Sequence, residues 1–453
     1  MKIAILGYGV EGKSALKFLK KLYPKADFEV RDVKKQGRDY LKNLEDFDMV
    51  VRSPGIPFLS PEIQKAKKKG VEITSTTKLF FQNAKGVLVG ITGTKGKGTT
   101  ATLLYKILKA SHLGVGHPSG SIHLIGNMGI PMLDELPKLK KNSISILELS
   151  SFQLQDMELS PHIAVVLDVS SDHLNYHKSF KEYLEAKVQL VKNQLSPPQI
   201  LASHEYFSAE KFLVPAPSRS QGLVKPVSSS TLTHPLFPLV FFFSDNKFSK
   251  QIAKKGKGKK TAVSADKNLN LKIPGAHNLK NASMAASVAG ALGVKENIIN
   301  KTIRNFNGLP HRLEFVREVR GVKYYNDSAS TNPAATVAAL KAFKETKILI
   351  AGGAGKNLDY RPIGKVLKKS NTKLVILFGQ NKKEIGGAIG SAGGKSIKIL
   401  FTDTLHSATK LAFKNAANGD AVVLSPASAS FDQFSGYGER GDIFKKTVNL
   451  TRP

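Results

Sequence analysis

The sequence predicts an α/β protein of three domains, each built on a largely parallel sheet. Short runs rich in Val, Ile and Leu alternate with amphipathic helical segments along the chain, as expected for sheets that helices cover on both faces. The length of 453 residues also exceeds that of one ordinary domain. This length favours two to three domains. The motifs described below lead us to expect a Rossmann-like domain at 1–85, a central domain of the P-loop ATPase type at 86–308, and a second Rossmann-like domain at 309–453.

Several apolar runs have the length and composition of buried strands. They are residues 3–6, 49–51, 87–91, 144–147, 163–167, 347–350, 374–378 and 421–424. Polar residues follow many of these runs directly. Because ligands of open parallel sheets bind beyond the carboxyl ends of the strands, we expect functional residues in those turns.

The composition excludes several classes of protein. The chain has no Cys, which excludes disulfides, thiol nucleophiles and thiolate metal sites. No apolar run reaches the length of a transmembrane helix, and the run at 3–6 is too short for a signal peptide. These features predict a cytoplasmic protein without membrane insertion.

The net charge of +33 is unusually high. It would suit a nucleic-acid-binding protein, and that alternative stays open. The lysines are nevertheless scattered over the whole chain, and only residues 254–260 form a dense basic block. No nucleic-acid-binding motif accompanies them. We therefore expect a basic surface that attracts anionic substrates, with no specific nucleic-acid partner.

The segment 90–100, Gly-Ile-Thr-Gly-Thr-Lys-Gly-Lys-Gly-Thr-Thr, has the layout of a phosphate-binding loop. An apolar run precedes it and a helical segment follows it. Glycines let backbone N–H groups surround phosphate oxygens, and the helix N-terminus adds positive potential. Lys97 would then reach the β- and γ-phosphates of a nucleotide. Gly98 stands where a P-loop usually has Ser or Thr, which leaves Thr99 as the nearest hydroxyl for Mg²⁺.

A second glycine motif, Gly-Tyr-Gly-Val-Glu-Gly at 7–12, follows the first predicted strand. Asp32 ends the next strand-like stretch, about twenty residues later. The pattern fits a dinucleotide-binding fold, and an NAD-dependent oxidoreductase is the obvious alternative reading. What the motif itself supports is a nucleotide or pyrophosphate beside a helix N-terminus.

Two further polar positions lie at predicted strand ends. Glu148 follows the run 144–147, and Asp172 and His173 follow the run 163–167. Glu148 alone is also typical of a helix-capping or surface acid, and His173 alone is more typical of a turn histidine. Together, beside a phosphate loop, they indicate residues of a Mg²⁺ or nucleotide site.

The order of the motifs along the chain resembles that of the Mur ligase family. The matching motifs are G-x-G-x-x-G, SPGI, G-T-x-G-K, ELSSFQL, DH, AK, HN, GLPHR, NDS and SPA-x-AS-x-DQF. ELSSFQL, YNDS…TN and SPASASFDQF are the most specific of them. The resemblance covers Gly7 to about Arg440 and is weakest between 200 and 265. It is strongest to the branch of the family that adds D-glutamate.

The resemblance implies an activity and its partners. The enzyme would join D-glutamate to UDP-N-acetylmuramoyl-L-alanine at the expense of ATP, through an acyl phosphate. The reaction belongs to peptidoglycan precursor synthesis in the cytoplasm, and the family suggests a monomer. A Mur-type ligase for a different amino acid is the alternative. The cofactors that the resemblance implies are ATP, two Mg²⁺ ions and a CO₂-derived carbamate on Lys187.

The resemblance also implies roles for individual residues. Those for the UDP-substrate are Val10, Glu11, Asp32, Ser53, Gly55 and Asn127. Those for ATP are Gly93, Thr94, Lys95, Gly96, Lys97, Gly98, Thr99, Thr100, Asn278, Asn281, Arg312 and Asp327. Those for the amino acid are Lys356, Ser430 and Tyr437. Those for metal are Thr99, Glu148, His173 and carbamylated Lys187, and the catalytic set is Lys97, Glu148, His173 and Lys187.

Several positions depart from the family pattern or from local expectation. Lys95 replaces the usual Asn, and Gly98 the usual Ser or Thr. Ala329 stands where a lysine often binds the D-glutamate carboxylate, so Lys356 would carry more of that task. Lys187, by its local sequence, is typical of a solvated helix residue. The Pro-, Ser- and Lys-rich stretch 214–260 is expected to be a surface excursion or a disordered loop.

Overall fold

Three open α/β sheets make up the computed structural model and confirm the predicted fold class. The structure describes residues 1–111, 121–126, 130–173, 176–194, 238–355, 358–392 and 397–450. The chain divides into two compact units, one of residues 1–266 with 280–302 and the other of residues 267–279 with 303–453. The limits 1–85, 86–308 and 309–453 stay a prediction.

The first sheet has four parallel strands in the order β2-β1-β3-β4. Its elements are β1 (Lys2–Leu6), α1 (Val10–Leu22), β2 (Asp27–Arg31), α2 (Val33–Gln36), β3 (Met49–Arg52), α3 (Pro61–Lys68), β4 (Glu72–Ser75) and α4 (Thr76–Asn83). Successive residues of β1 are buried on opposite faces, Ile3 and Ile5 in one core and Ala4 and Leu6 in the other. This two-sided burial is why the strand is continuously apolar.

The second sheet has six parallel strands in the order β10-β9-β8-β5-β7-β6. Its strands are β5 (Val87–Thr92), β6 (Ile122–Gly126), β7 (Ile144–Glu148), β8 (Ile163–Val166), β9 (Leu239–Phe243) and β10 (Lys259–Val263). Its helices are α5 (Lys97–Ala110), α6 (Met132–Glu135), α7 (Ser151–Leu154), α8 (Phe180–Lys192), α9 (Lys247–Lys254), α10 (Ala276–Ala291) and α11 (Glu296–Arg304). The strand β5 lies near the centre, so the phosphate-loop segment leaves the middle of the sheet.

The sequence predicted a surface excursion or a disordered loop at 214–260, and this prediction is wrong for residues 239–260. The phenylalanine cluster of this stretch forms β9, which pairs with β8, and the basic block runs from the end of α9 into β10. Phe241 and Phe243 are buried. The apolar run forms a strand because pairing with β8 and β10 lets it bury its phenylalanine side chains in the sheet. Composition alone did not reveal this pairing. The rest of the stretch, 214–237, lies outside the described residues.

The third sheet has the order β11-β12-β16-β13-β14-β15, parallel except for the β11–β12 pair. Its strands are β11 (Glu314–Val319), β12 (Val322–Asn326), β13 (Lys347–Gly352), β14 (Thr372–Phe378), β15 (Lys398–Phe401) and β16 (Ala421–Leu424). Its helices are α12 (Pro333–Ala342), α13 (Arg361–Leu367), α14 (Lys382–Ser391), α15 (Leu405–Asn415) and α16 (Tyr437–Leu450). Within the described ranges, every helix is too short or too polar to cross a bilayer.

Candidate active site

The phosphate-loop segment is a tight turn between β5 and α5. Thr94 fastens it to the end of β8, because its N–H donates to the Asp168 carbonyl at 2.8 Å and its Oγ1 donates to the Ser170 carbonyl at 3.0 Å. The same Oγ1 lies 2.8 Å from the Tyr183 hydroxyl on α8. The Lys97 ammonium folds back over the turn and donates to the Gly93 carbonyl at 3.1 Å. The turn is therefore held rigidly, with a cation above it.

Gly96 is required by the geometry of this turn. Its φ of +87° lies in the left-handed region, and it caps the N-terminus of α5. A Cβ at this position would come within 2.3 Å of Oδ1 of Asn281, on α10. Asn281, a predicted ATP residue, thus lies directly against the loop. Asn278 is buried, and its side-chain amide donates to the Pro274 carbonyl at 2.6 Å.

The first turn of α5 holds the residues predicted to supply a hydroxyl for Mg²⁺. Lys95 is exposed, whereas Gly98 and Thr99 are partly buried. Thr100 is fully buried, and its Oγ1 has no hydrogen-bond partner among the described residues. A buried hydroxyl without a hydrogen bond costs folding free energy. The first turn of α5 therefore holds a polar group that a ligand at the loop could satisfy.

Lys187 is not a solvated helix residue. Its side chain is only 1% exposed, and its ammonium donates to the Gly93 carbonyl at 3.1 Å and to Thr92 Oγ1 at 3.3 Å. The nitrogen lies 4.6 Å from the centre of the Tyr183 ring. Burial, and then the nearby positive charge of Lys97, hold the pKa of Lys187 well below its usual range. The structure thus buries a neutral-tending amine beneath the phosphate-loop segment.

Glu148 and His173 occupy the strand-end region, as their positions in the sequence predicted. Glu148 ends β7, is buried, and pairs in register with Ile91 of β5. His173 has a φ of +54°, an uncommon conformation for a residue with a side chain. Its ring packs edge-on against Phe152 at 4.9 Å and lies 3.7 Å from the Asp172 carboxylate. Among the described residues, no three His, Asp or Glu side chains are grouped to hold a metal ion.

The first glycine motif forms a close turn after β1. A Cβ on Gly12 would lie 1.9 Å from the Gly7 carbonyl oxygen, so only glycine lets α1 approach the strand this closely. Asp32 braces the same turn, because its carboxylate accepts from the Tyr8 N–H at 2.6 Å and the Lys34 N–H at 2.9 Å. These backbone hydrogen bonds lower the pKa of Asp32.

The remaining residues predicted to bind the UDP-substrate surround this turn. Val10 is 64% exposed at the start of α1, and Ser53 Oγ donates to the Gly7 carbonyl at 3.2 Å. Gly55 has open space where a side chain would lie. Glu11 has one carboxylate oxygen buried without a hydrogen bond from the described residues, and burial raises its pKa. Asn127 lies outside the described residues.

Asp327 is the centre of a buried polar network after β12. Its Oδ2 accepts from Ser330 Oγ at 2.5 Å and Ser425 Oγ at 2.8 Å, and its Oδ1 accepts from the Leu313 N–H at 3.2 Å. Burial raises the pKa of Asp327 to about 6, although these hydrogen bonds and the charge of Arg312 each lower it. Arg312 is exposed.

The predicted amino-acid-binding residues follow β16. Ser430 is buried, and its carbonyl accepts from the N–H groups of Gln433 and Phe434. Tyr437 begins α16 and is 49% exposed, with its ring 6.0 Å from that of His311. Lys356 lies outside the described residues.

Comparison with known proteins decides the family. Residues 91–289 match the Mur ligase middle domain, and residues 311–428 match the Mur ligase glutamate ligase domain. A UDP-N-acetylmuramoylalanine--D-glutamate ligase of Acetivibrio thermocellus is 36% identical over 99% of this chain and 96% of its own length. The chain belongs to the Mur ligase family.

Two further similarities agree with this assignment. An enzyme of Ruminiclostridium cellulolyticum with the same name is 35% identical over 91% of this Mur ligase and 85% of its own chain. The crystal structure of a UDP-N-acetylmuramate-alanine ligase from Thermotoga maritima has a TM-score of 0.53 at 19% identity, covering 99% of this chain and all of its own. At that identity the second likeness shows the fold alone.

Sequence reasoning missed a buried histidine of this Mur ligase. His177 is 1% exposed; its Nε2 lies 2.9 Å from Ser151 Oγ and its Nδ1 lies 3.1 Å from Glu182 Oε1. Its N–H donates to the His173 carbonyl at 3.0 Å. The imidazole of His177 thus connects Ser151, after β7, to Glu182 on α8, and its backbone N–H holds the His173 turn. The only signal in the sequence is a second histidine four residues after His173.

A second missed residue is Arg440, which is fully buried. Its guanidinium donates to Ser328 Oγ at 3.0 Å and to the carbonyls of Ser328, Ser428 and Ala429 at 2.9 to 3.0 Å. Burial lowers its pKa to about 10. Arg440 therefore joins the turn after β12 to the turn after β16, which carry Asp327 and Ser430.

The network around Asp327 makes the stability of this Mur ligase depend on pH. Because the folded-state pKa of about 6 exceeds the ordinary 3.8, the folded chain binds more protons than the unfolded chain between these values. The contribution of Asp327 to stability is thus lost as pH rises through this window. Between pH 4 and pH 7 the wild type is expected to lose about 2 kcal/mol of unfolding free energy relative to Asp327→Asn, which does not titrate. Urea denaturation followed by circular dichroism measures this difference. Glu384→Gln, at an exposed carboxyl, serves as the control, and equal pH dependence in both variants would contradict the assignment.

Proposed function

We propose that this Mur ligase joins D-glutamate to the carboxylate of UDP-N-acetylmuramoyl-L-alanine, with conversion of ATP to ADP and phosphate. The observation that carries the proposal is 36% identity, over nearly the whole of both chains, to a relative that bears the name of this activity. The match of residues 311–428 to the glutamate ligase domain supports the same amino acid. We infer that the protein acts as a monomer on small-molecule substrates.

The phosphate-loop segment supports the role of ATP. Lys97 lies over a turn whose backbone N–H groups precede the N-terminus of α5, and a γ-phosphate entering there would replace the loop carbonyls as the partner of the ammonium. Asn281, which lies against Gly96, is proposed to contact the nucleotide that this loop holds. Arg312 and Asp327 are proposed as further nucleotide-binding residues, as the family resemblance implies.

The residues proposed to bind Mg²⁺ suit this ion only if Lys187 is carbamylated. Glu148 and His173 would supply one carboxylate and one imidazole, and a charged Lys187 ammonium beside Thr92 and Gly93 would repel a cation bound at the phosphate-loop segment. Lys187 is buried, and its lowered pKa favours the neutral amine that reacts with CO₂. As a carbamate, it would add an anionic oxygen ligand to Glu148, His173 and a hydroxyl of Thr99 or Thr100. When bound, Mg²⁺ neutralises charge on the phosphates.

Residues of the chain are proposed to neutralise phosphate charge in the first step and to accept a proton in the second. In the first step the substrate carboxylate attacks the γ-phosphate and displaces ADP, which gives an acyl phosphate. This step needs positioning and charge neutralisation, which Lys97 and the loop N–H groups would supply. In the second step the unprotonated amine of D-glutamate attacks the acyl phosphate and displaces phosphate. His173, which is half exposed at the strand ends, is the proposed acceptor of the proton that the amine loses, and it can take this role only while its ring does not ligate Mg²⁺, because a neutral imidazole has one acceptor nitrogen.

The two substrates are proposed to bind at different turns, the UDP-substrate at the turn after β1 and the amino acid at the turn after β16. The turn of Gly7 to Gly12, with Val10, Glu11, Asp32, Ser53 and Gly55, would hold the uridine diphosphate. Ser430 and Tyr437, together with Asn127 and Lys356 outside the described residues, would complete the sugar-peptide and amino-acid contacts. Ala329 leaves the amino-acid carboxylate without the lysine that the family often uses.

The test is release of phosphate from ATP by the purified protein. We expect release only when UDP-N-acetylmuramoyl-L-alanine and D-glutamate are present together, and no release by the Lys97→Met variant. A panel of amino acids in place of D-glutamate tests the consequence of Ala329. If another amino acid is preferred, the protein is a Mur ligase of different specificity; if no pair of substrates stimulates release, the proposal fails.

A further inference from the structure

A cavity of about 780 Å³ lies at the amino-terminal edge of the third sheet. Its walls come from the ends of α12 and α13, the start of β13 and the end of α14. The residues that line it are Leu340, Lys341, Phe343, Lys347, Lys365, Val366, Lys368, Lys369, Ser370, Asn371 and Ala392. We call this cavity the lysine pocket. Its volume is in the range of sites for small molecules.

The lining of the lysine pocket has one sign of charge. Five of its eleven residues are lysines and none is Asp or Glu. Lys341, Lys365, Lys368 and Lys369 are exposed, and within the described ranges none of the four forms an ion pair. A concave surface with charges of one sign concentrates counter-ions.

Nearby negative charge does not neutralise this group. The carboxyl-terminal ends of α12, α13 and α14 each contribute roughly half an elementary negative charge. Glu345, the closest carboxylate to Lys347 in the sequence, lies 4.0 Å from Lys323. Asp359 also interacts with Lys365, but its carboxylate is paired with Arg361 at 2.8 Å and adds no net negative charge. Even if Glu345 is counted in full, the helix ends and Glu345 compensate about half of the five lysines. Helix-end stabilisation therefore explains part of the cluster and leaves about two positive charges over.

Lys347 makes the floor of the lysine pocket polar as well. It is 1% exposed, and its ammonium donates to the carbonyls of Glu345 at 2.9 Å and Phe343 at 3.3 Å. No carboxylate of the described residues lies within ion-pair distance of it. Burial lowers the pKa of Lys347, so an anion in the cavity would stabilise its charged form.

We propose that the lysine pocket binds a small molecule that carries two or more linked phosphate groups. Leu340, Phe343 and Val366 give it an apolar wall beside the cations, which suits a nucleoside polyphosphate. The site goes beyond the proposed ligase function and is separate from it. Lys347 begins β13 and is in register with Ala421 of β16, whereas Asp327 and Ser425 follow the carboxyl ends of β12 and β16. Four residues of strand, about 13 Å, therefore separate the two levels.

Isothermal titration of the full chain with inorganic tripolyphosphate at about 150 mM salt tests the proposal. Every protein compared carries Lys97→Met to weaken binding at the phosphate loop, because a blocking nucleotide such as ADP itself carries two linked phosphates and would compete for the lysine pocket. The pocket variant carries Lys341→Gln, Lys365→Gln, Lys368→Gln and Lys369→Gln. The control variant carries the same loss of charge at exposed lysines elsewhere in the third sheet's layers, as Lys383→Gln, Lys398→Gln, Lys410→Gln and Lys414→Gln. We expect the pocket variant to lose at least about tenfold in affinity and the control less than about twofold.

Equal weakening in both variants would show a diffuse charge effect and overturn the proposal, as would unchanged binding in the pocket variant. A parallel titration with GTP shows whether the ligand is a nucleoside polyphosphate or a free polyphosphate. Tighter binding of GTP than of tripolyphosphate identifies a nucleoside polyphosphate, and equal binding identifies a free polyphosphate. Thermal melting confirms that each variant is folded. Because the readout is binding, it stands whether or not the ligase assay succeeds.

Discussion

Replacement of Lys187 by methionine is expected to lower kcat by about 10²- to 10³-fold, the loss usual when one preorganised electrostatic group is removed. The buried amine lies under the Gly93 carbonyl and beside Thr92, and as a carbamate it would supply an anionic ligand that Glu148 and His173 lack. Methionine preserves the apolar stem and removes the nitrogen. The measurement is phosphate release at saturating ATP and Mg²⁺.

The carbamate itself can be observed. With ¹³C-labelled bicarbonate, the wild type is expected to show a carbamate carbonyl resonance that Lys187→Met lacks, while Lys192→Met, at an exposed lysine of the same helix, keeps both the signal and the activity. The pKa of Lys187 is lowered, so its neutral amine, and hence the signal, should persist to lower pH than that of an exposed lysine. Full activity of Lys187→Met would remove the residue from the mechanism.

Removal of Asp156 is expected to destabilise the protein by about 3–5 kcal/mol, because it leaves a buried arginine without its counter-charge. Arg52 Nη2 lies 2.6 Å from Asp156 Oδ1, and the two side chains are 0% and 2% exposed. The same guanidinium donates to the carbonyls of Ile56 at 2.7 Å and Phe152 at 3.0 Å. The pair thus connects the end of β3 in the first sheet to the segment after α7 in the second. Urea denaturation of Asp156→Ala gives the measurement.

An exposed ion pair between the same two regions provides the control. Lys78 on α4 lies 2.8 Å from Glu158, whose side chain is 65% exposed. Glu158→Ala should cost no more than about 1 kcal/mol. In a double-mutant cycle with Arg52→Met, we expect a coupling energy above about 2 kcal/mol for the buried pair. A coupling near zero would mean that backbone carbonyls alone hold Arg52.

Local sequence predicted the features that depend on neighbours along the chain. The apolar runs predicted strands, and each of the eight overlaps one in the structure, because strands buried on both faces must be continuously apolar. Glycine spacing located both turns, since the backbone conformations of Gly7 and Gly96 are required by the turns themselves. The motif order then indicated the family, which the comparisons show.

Tertiary structure decided the features that depend on residues distant along the chain. Helical periodicity placed Lys187 among solvated residues, and only the packing of α8 against the phosphate-loop segment buries it. Arg440 and His177 resemble ordinary surface residues in the sequence, yet each is buried and bonds to more than one distant segment. The five lysines of the lysine pocket are spread from Lys341 to Lys369 in a chain that is basic throughout, and only the fold brings them to one cavity. Burial and charge convergence are properties of the packed chain, so the sequence by itself determined the fold class and the family, while the chemical state of these side chains was decided by the fold.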